Sequence, residues 1–225
     1  MIESNTIDNA GSVLGAYGAN STSWTHLTFD FGTAENLYFV DNVINGLQTT
    51  PHSGGAGGRY CARYNSYTSP KTTGLYPWFD MHGNQDGGNN AAMGAEIYEN
   101  TLTMTEPDKG VGIFDQRGGK ALIYNNSVMT TGSVSEKCRE EYVDEITPPA
   151  ISSDGQPQHV SNSYYWGNKK NGTILITASV GGTIDYGASL GRVPRENREF
   201  WNEETSFNGT KGMGVGPFSK RPASG

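Results

Sequence analysis

Ile97-Tyr98-Glu99-Asn100-Thr101-Leu102 is one copy of a phrase that recurs along the chain: apolar, any residue, polar, Asn, small or apolar, apolar. It stands also as Ile2-Glu3-Ser4-Asn5-Thr6-Ile7, Phe39-Val40-Asp41-Asn42-Val43-Ile44, Ala62-Arg63-Tyr64-Asn65-Ser66-Tyr67 and Ile123-Tyr124-Asn125-Asn126-Ser127-Val128. A weaker copy is His159-Val160-Ser161-Asn162-Ser163-Tyr164. The Asn residues fall 37, 23, 35, 26 and 36 positions apart. A constant phrase with variable connections is how a coiled repeat varies, because insertions leave at the corners while the rungs stay fixed. The residue three before each Asn and the residue two after it are mostly apolar, as in Phe39/Ile44, Ile97/Leu102 and Ile123/Val128. These are expected to point inward from two short strands flanking a bend. Asn at the bend tolerates unusual backbone angles and can bond the turn backbone. With coils stacked ~4.8 Å apart, the Asn residues would form a ladder of side-chain amides. The expected fold class is all-β: a right-handed parallel β-helix, a solenoid of about six recognisable coils with long loop insertions.

A second column supports the first. Phe29-Asp30-Phe31-Gly32, Phe79-Asp80-Met81-His82-Gly83, Phe114-Asp115-Gln116-Arg117-Gly118 and Ile184-Asp185-Tyr186-Gly187 share an apolar-Asp pair followed shortly by Gly. Asp80 and Asp115 lie 35 apart, as do Asn65 and Asn100, so the two columns share a register. One short helix is expected between Ser133 and Asp144, where Ser135 precedes a run of helix formers and Pro148-Pro149 ends it. The β-helix is expected over residues 1–189. Residues 190–225 form a C-terminal extension that packs Phe200 and Trp201 on it and leaves through Gly212-Met213-Gly214-Val215-Gly216-Pro217.

Composition agrees with a turn-rich β protein: the chain of 225 residues is 34% hydrophobic and holds 31 Gly. A net charge of −7 with no basic block argues against nucleic acid as a partner. No apolar run approaches the ~20 residues of a membrane span. Cys61 and Cys138 could be bridged in an exported protein or remain thiols, and no other Cys or His stands at ligand spacing for a metal.

Trp24, the run Asp30 to Asn42, Gly57-Gly58-Arg59-Tyr60-Cys61-Ala62-Arg63-Tyr64-Asn65, His82-Gly83, Glu96 to Thr101, Arg117-Gly118-Gly119 and Tyr124-Asn125-Asn126 together resemble bacterial proteins described as right-handed parallel β-helix repeat-containing. The tail, with Arg221-Pro222-Ala223, resembles their extensions. The resemblance implies export to the cell surface or medium. It implies further coils before Met1, so the chain, which carries no signal peptide, reads as an excerpt. It brings no catalytic residues. Among β-helices generally, polysaccharide contact is the common theme, by fold analogy alone.

Two constellations carry candidate chemistry. Asp80, His82, Asp115 and Arg117 form the candidate catalytic set, with Asp80 stacked over Asp115 and His82 near Arg117. Adjacent carboxylates can bind calcium or divide acid and base roles, and an Arg beside a His suits β-elimination from a uronate. A carboxyl separation of ~5 Å suits retaining hydrolysis and a wider one inversion. The competing reading is turn aspartates and ordinary ion pairs. The signals of polygalacturonases (Asn-x-Asp, Asp-Asp, Gly-His-Gly) are missing. The second set is Arg59, Arg63, Trp78, Tyr98 and Tyr124. Val40, Arg63, Tyr98 and Tyr124 stand two before a ladder Asn and face outward, offering an Arg-Tyr-Tyr stripe on which sugars could stack. Trp78 and Tyr76 would wall that groove, although strand propensity alone also places Tyr on sheets. The polar loop Gly83 to Asn90 has the composition of calcium-binding repeats without their period, and His26, His52 and His159 stand alone.

The function expected is polysaccharide binding along a lateral sheet, with cleavage as a lyase or glycoside hydrolase left open. The alternative is a structural or assembly module, such as a surface filament, adhesin stalk or phage fibre, that self-associates through uncapped coil ends.

Overall fold

The computed structural model describes residues 1–17, 29–33, 36–70, 77–83, 91–106, 111–139, 141–142, 159–179, 183–184 and 194–206. Among them the protein is all-β, with no α-helix and one short 3-10 turn at Glu204–Ser206. Three parallel sheets carry almost every strand. The first holds Ile2–Glu3, Leu37–Val40, Arg59–Arg63, Gly94–Tyr98, Lys120–Tyr124, Ser163–Trp166 and Phe200–Trp201. The second runs through Thr6–Asp8, Val43–Asn45, Ser66–Ser69, Thr101–Met104, Ser127–Met129 and Lys169–Lys170, with Thr173–Ile174 added antiparallel. The third runs through Leu14–Tyr17, His52–Gly55, Pro77–Met81, Val111–Gln116, Val134–Cys138 and Ala178–Ser179. The chain visits first, second and third sheet in that order and then returns to the first, so each circuit lays one strand on each face. Calls on Tyr76, residues 84–90, Asp185 and the tail beyond Ser206 lie outside the described residues.

The register follows the phrase. Phe39, Ala62, Ile97, Ile123 and Tyr165 are successive partners on the first sheet and all are buried in one core. Ile44, Tyr67, Leu102 and Val128 do the same on the second, with the half-buried Ile7 packed against them at the start of the column. Each fully buried side chain of this size contributes roughly 1.5–3 kcal/mol of transfer free energy, so inward columns of this length hold the coils in register. His52 is a core histidine. It stacks 5.1 Å from Phe79, its Nε2 lies 2.6 Å from the Tyr67 hydroxyl, and burial pushes its pKa down to about 3.

The bend is held by the expected ladder. The Oδ1 of Asn100 accepts from both the backbone N and the Nδ2 of Asn65, each at 3.0 Å. The same double contact links Asn5 to Asn42, Asn42 to Asn65, Asn100 to Asn126, and Asn126 to Asn168. Two expectations are corrected. The last member is Asn168, in Tyr165-Trp166-Gly167-Asn168-Lys169-Lys170, and Asn162 is not part of the ladder. The unusual backbone angle falls on the residue before each Asn, at φ 53° for Asp41, 59° for Tyr64, 54° for Glu99 and 53° for Asn125. Asn itself supplies the amide that satisfies the bend, while its predecessor makes the turn.

The helix expected between Ser133 and Asp144 is also corrected. Val134–Cys138 is a strand paired with Val111–Gln116. Glu136 and Cys138 are buried and Lys137 is exposed, a period of two that the neighbouring strand imposes over helix propensity. Phe200 is buried and, with Trp201, forms a further strand of the first sheet paired with Ser163 and Tyr164.

Candidate functional site

Asp80 and Asp115 are direct partners in the third sheet, with Ser53 before them and Lys137 after them in the same column. Side chains alternate across a strand. Phe79, Met81 and Phe114 enter the core while the aspartates point away from it. The adjoining outward column contains Tyr17, Gly55, His82, Arg117 and Arg139, because the register of Tyr17 with Gly55 and of Gln116 with Met81 and Cys138 continues by one residue. Among the described residues of the second sequence column, only Asp80 and Asp115 stack. Asp30 belongs to a segment lying over the first sheet.

Asp80, His82 and Arg117 therefore meet, and Asp115 stands beside Asp80 as its strand partner. Arg117 Nη2 lies 2.7 and 2.8 Å from the two carboxylate oxygens of Asp80 and 2.9 Å from His82 Nδ1. His82 Nε2 lies 3.0 Å from Asp80 Oδ2. This fixes the ring tautomer: Nδ1 accepts from Arg117 and Nε2–H donates to Asp80. Burial raises the Asp80 pKa, but the His82 bond and the Arg117 charge reverse it, so the carboxyl sits below its usual range. Asp115 is held separately by Arg139, through Nε at 2.9 Å and Nη2 at 2.8 Å, a bidentate pair. Each carboxylate thus faces an arginine. Among the described residues no group of three or more His, Cys, Asp and Glu stands together to hold a metal ion.

Tyr17 and Arg139 complete the site. The Tyr17 ring is 51% exposed, lies 5.8 Å from the His82 ring, and is tied by its hydroxyl to Ser53 Oγ at 2.6 Å. It lies across Gly55, where a Cβ would come within 2.7 Å of the ring. The site is an outward strip: an exposed aromatic face beside a buttressed Asp-His-Arg cluster, followed along the coil axis by Asp115, Lys137 and Arg139. With His82 counted neutral, two acids against three bases give it one positive charge in excess, within a chain of net −7.

The second set is corrected. Arg59, Arg63 and Tyr98 are fully buried and Tyr124 is 4% exposed, so they present no stripe to solvent. They do point away from the core, and Tyr98 stacks on Tyr124 at 4.7 Å and Tyr124 on Trp166 at 4.4 Å. Other groups lie over that face, among them Gly32 and Asn36, which bond Glu96. Trp78 is buried in the core against Tyr67, 5.5 Å away, and walls no groove. Cys61 is a buried thiol on the outer face of the first sheet, and Cys138 one inside the coil.

No protein-family model matches the chain, and no curated protein or solved structure matches it.

Proposed function

We propose that the protein is an exported right-handed parallel β-helix, of the bacterial kind it resembles, that binds polysaccharide along the outer face of its third sheet. The observation that carries this reading is Tyr17, a half-exposed ring clamped by Ser53 and laid over Gly55 against the Asp80-His82-Arg117 cluster. A fixed aromatic face flanked by charged hydrogen-bonding groups is the arrangement that stacks a pyranose ring and orients its hydroxyls. The local positive excess offsets part of the repulsion that the whole chain would offer an acidic sugar.

The same geometry favours recognition over cleavage. Glycoside hydrolysis needs a carboxylic acid kept protonated near neutral pH, and Asp80 is shifted the other way. Both nitrogens of His82 are engaged, so the ring is a positioning group for its neighbours.

Wild-type protein is expected to bind a subset of neutral and acidic polysaccharides in a pull-down panel, without releasing reducing or unsaturated ends. Tyr17→Ala should weaken that binding roughly three- to tenfold, the worth of one aromatic contact. Equal binding by wild type and Tyr17→Ala, or no binding to any glycan, rejects the site. Release of ends that disappears in Asp80→Asn replaces recognition by catalysis.

A further inference from the structure

On the first sheet, Glu96 is a direct partner of Cys61, and both side chains lie on the outer face. Glu96 is fully buried. Its Oε1 accepts from the backbone N of Gly32 at 2.8 Å and from Asn36 Nδ2 at 2.7 Å, while Oε2 is buried without a hydrogen-bond partner. Gly32 belongs to a segment docked on this face. Phe29 packs on Gly94, where a Cβ would stand 2.4 Å from its ring, and its carbonyl accepts from Lys120 Nζ at 3.3 Å. Phe31 lies edge-on to Tyr164, and the Tyr38 hydroxyl donates to the Thr33 carbonyl. Beneath are Cys61, Arg63, Tyr38, Tyr98 and Tyr124. The Arg63 guanidinium lies 5.3 Å from the Tyr38 ring and donates to the Tyr98 hydroxyl at 2.8 Å. A cover that served only to seal the sheet would bury hydrocarbon at less cost than it buries a carboxylate and a guanidinium.

We propose that the segment carrying Phe29 to Thr33 and Asn36 is a pH-governed latch: ionisation of Glu96 favours its release and uncovers the Cys61–Arg63–Tyr98 face. The reason lies in the two oxygens. The docked state satisfies one and strands the other, and a stranded anionic oxygen is costly where a stranded neutral hydroxyl is less so. Release returns both to water. The groups facing Glu96 do not change this balance enough to reverse it. Arg63 attracts the anion, Cys61 and the tyrosines Tyr38, Tyr98 and Tyr124 are neutral at these pH values, Lys120 bonds the latch backbone, and Asp30 on the latch is exposed. Burial accordingly pushes the Glu96 pKa up to about 7, with Gly32, Arg63 and Asn36 offsetting only part of the effect. A group whose docked pKa exceeds its solvated one holds the docked form while protonated and weakens it as pH rises between the two values. The latch is therefore closed in mild acid and loosens toward pH 8. This proposal is independent of the glycan reading on the third sheet.

Cys61 reports the latch, and Cys138, inside the coil, reports global unfolding. The full chain is treated with a small thiol reagent between pH 5.5 and 8, and labelling of each cysteine is read by peptide mass spectrometry. Wild-type Cys61 should outpace Cys138 and outpace Cys61 of Glu96→Gln at pH 8, with the ratio of wild type to variant rising on the order of tenfold from pH 5.5. Removing the Glu96 charge would by itself ease thiolate formation at Cys61, so slower labelling in the variant reports closure. If the variant folds poorly, exchange of the Gly32 amide in wild type, corrected for base catalysis, must open over the same window. Identical pH dependence in wild type and variant, Cys61 labelling no faster than Cys138, or Gly32 protection constant with pH overturns the proposal.

Discussion

Asn100→Ala should cost about 3–5 kcal/mol of unfolding free energy, and Asn5→Ala about 1 kcal/mol or less. Both remove a ladder amide, but they remove different things. Asn100 is buried, with its Oδ1 taking two bonds from Asn65 and its Nδ2 reaching Ala62 O at 2.9 Å, Tyr98 O at 3.1 Å and Asn126 Oδ1 at 2.9 Å. Truncation leaves the Asn65 amide proton buried with its side-chain acceptor gone, strips the Ala62 carbonyl of one donor, and opens a void at the bend. A buried donor without a partner costs about 1–3 kcal/mol by itself. Asn5 is exposed, so water replaces what its side chain gave. Urea unfolding followed by circular dichroism measures both variants. An unchanged m-value with a lowered midpoint for Asn100→Ala is the expected outcome. Equal midpoints for the two variants would mean that the ladder is a consequence of the stack and does little to hold it.

The ladder also marks how far the fold could be read from the sequence. Apolar residues at fixed offsets from Asn placed Phe39, Ile97 and Ile123 inward, because alternation along a strand is local and survives any loop length. Asn168 is hidden in the sequence because Lys170 fills the offset that an apolar residue should occupy, whereas Asn162 has Tyr164 there. The strand Val134–Cys138 is hidden for a related reason. Isolated, Ser135 to Glu141 favours a helix, and only the adjacent strand Val111–Gln116 makes a period of two the better choice.

The candidate site divides along the same line. Asp80 over Asp115 was legible because both columns repeat at 35 residues. Arg139 follows Cys138 as Arg117 follows Gln116, and the helix reading of that stretch hid it. Tyr17 carried no signal, since its strand lacks the Asp-Gly motif. For Arg63, Tyr98 and Tyr124 the direction was right and the exposure wrong. Pattern fixes which face of a sheet a side chain leaves by, whereas an insertion far along the chain decides whether water waits there. Gly32 reaches Glu96 across 64 positions, a contact that no local rule contains.

Two buried glutamates should make the fold more stable in mild acid than in base. Burial pushes Glu96 and Glu136 each up to about 7 from an ordinary value of 4.5. For Glu136 the Thr177 and Asn168 side chains offset only part of the effect. A raised carboxyl pKa means that the folded state holds a proton the unfolded state has released. Stability then falls as pH rises from about 4.5 through 7 and levels off above. Each group is worth about 3 kcal/mol over that window. Asp80 works in the opposite sense: its lowered pKa stabilises the fold above the ordinary carboxylate range and is lost in stronger acid. The summed curve should therefore peak near pH 5. The two glutamates will not contribute equally. Release of the latch can let water reach Glu96 and caps its cost, while Glu136 is the direct partner of core residue Phe114 and has no such relief. Glu136→Gln should accordingly flatten the fall between pH 5 and pH 8 more than Glu96→Gln does, and the double variant should nearly abolish it. Urea midpoints at the two pH values decide the matter. A wild-type midpoint at pH 8 equal to or above that at pH 5 would show that both carboxylates are solvated or paired in the folded chain, and the latch would lose its driving force along with them.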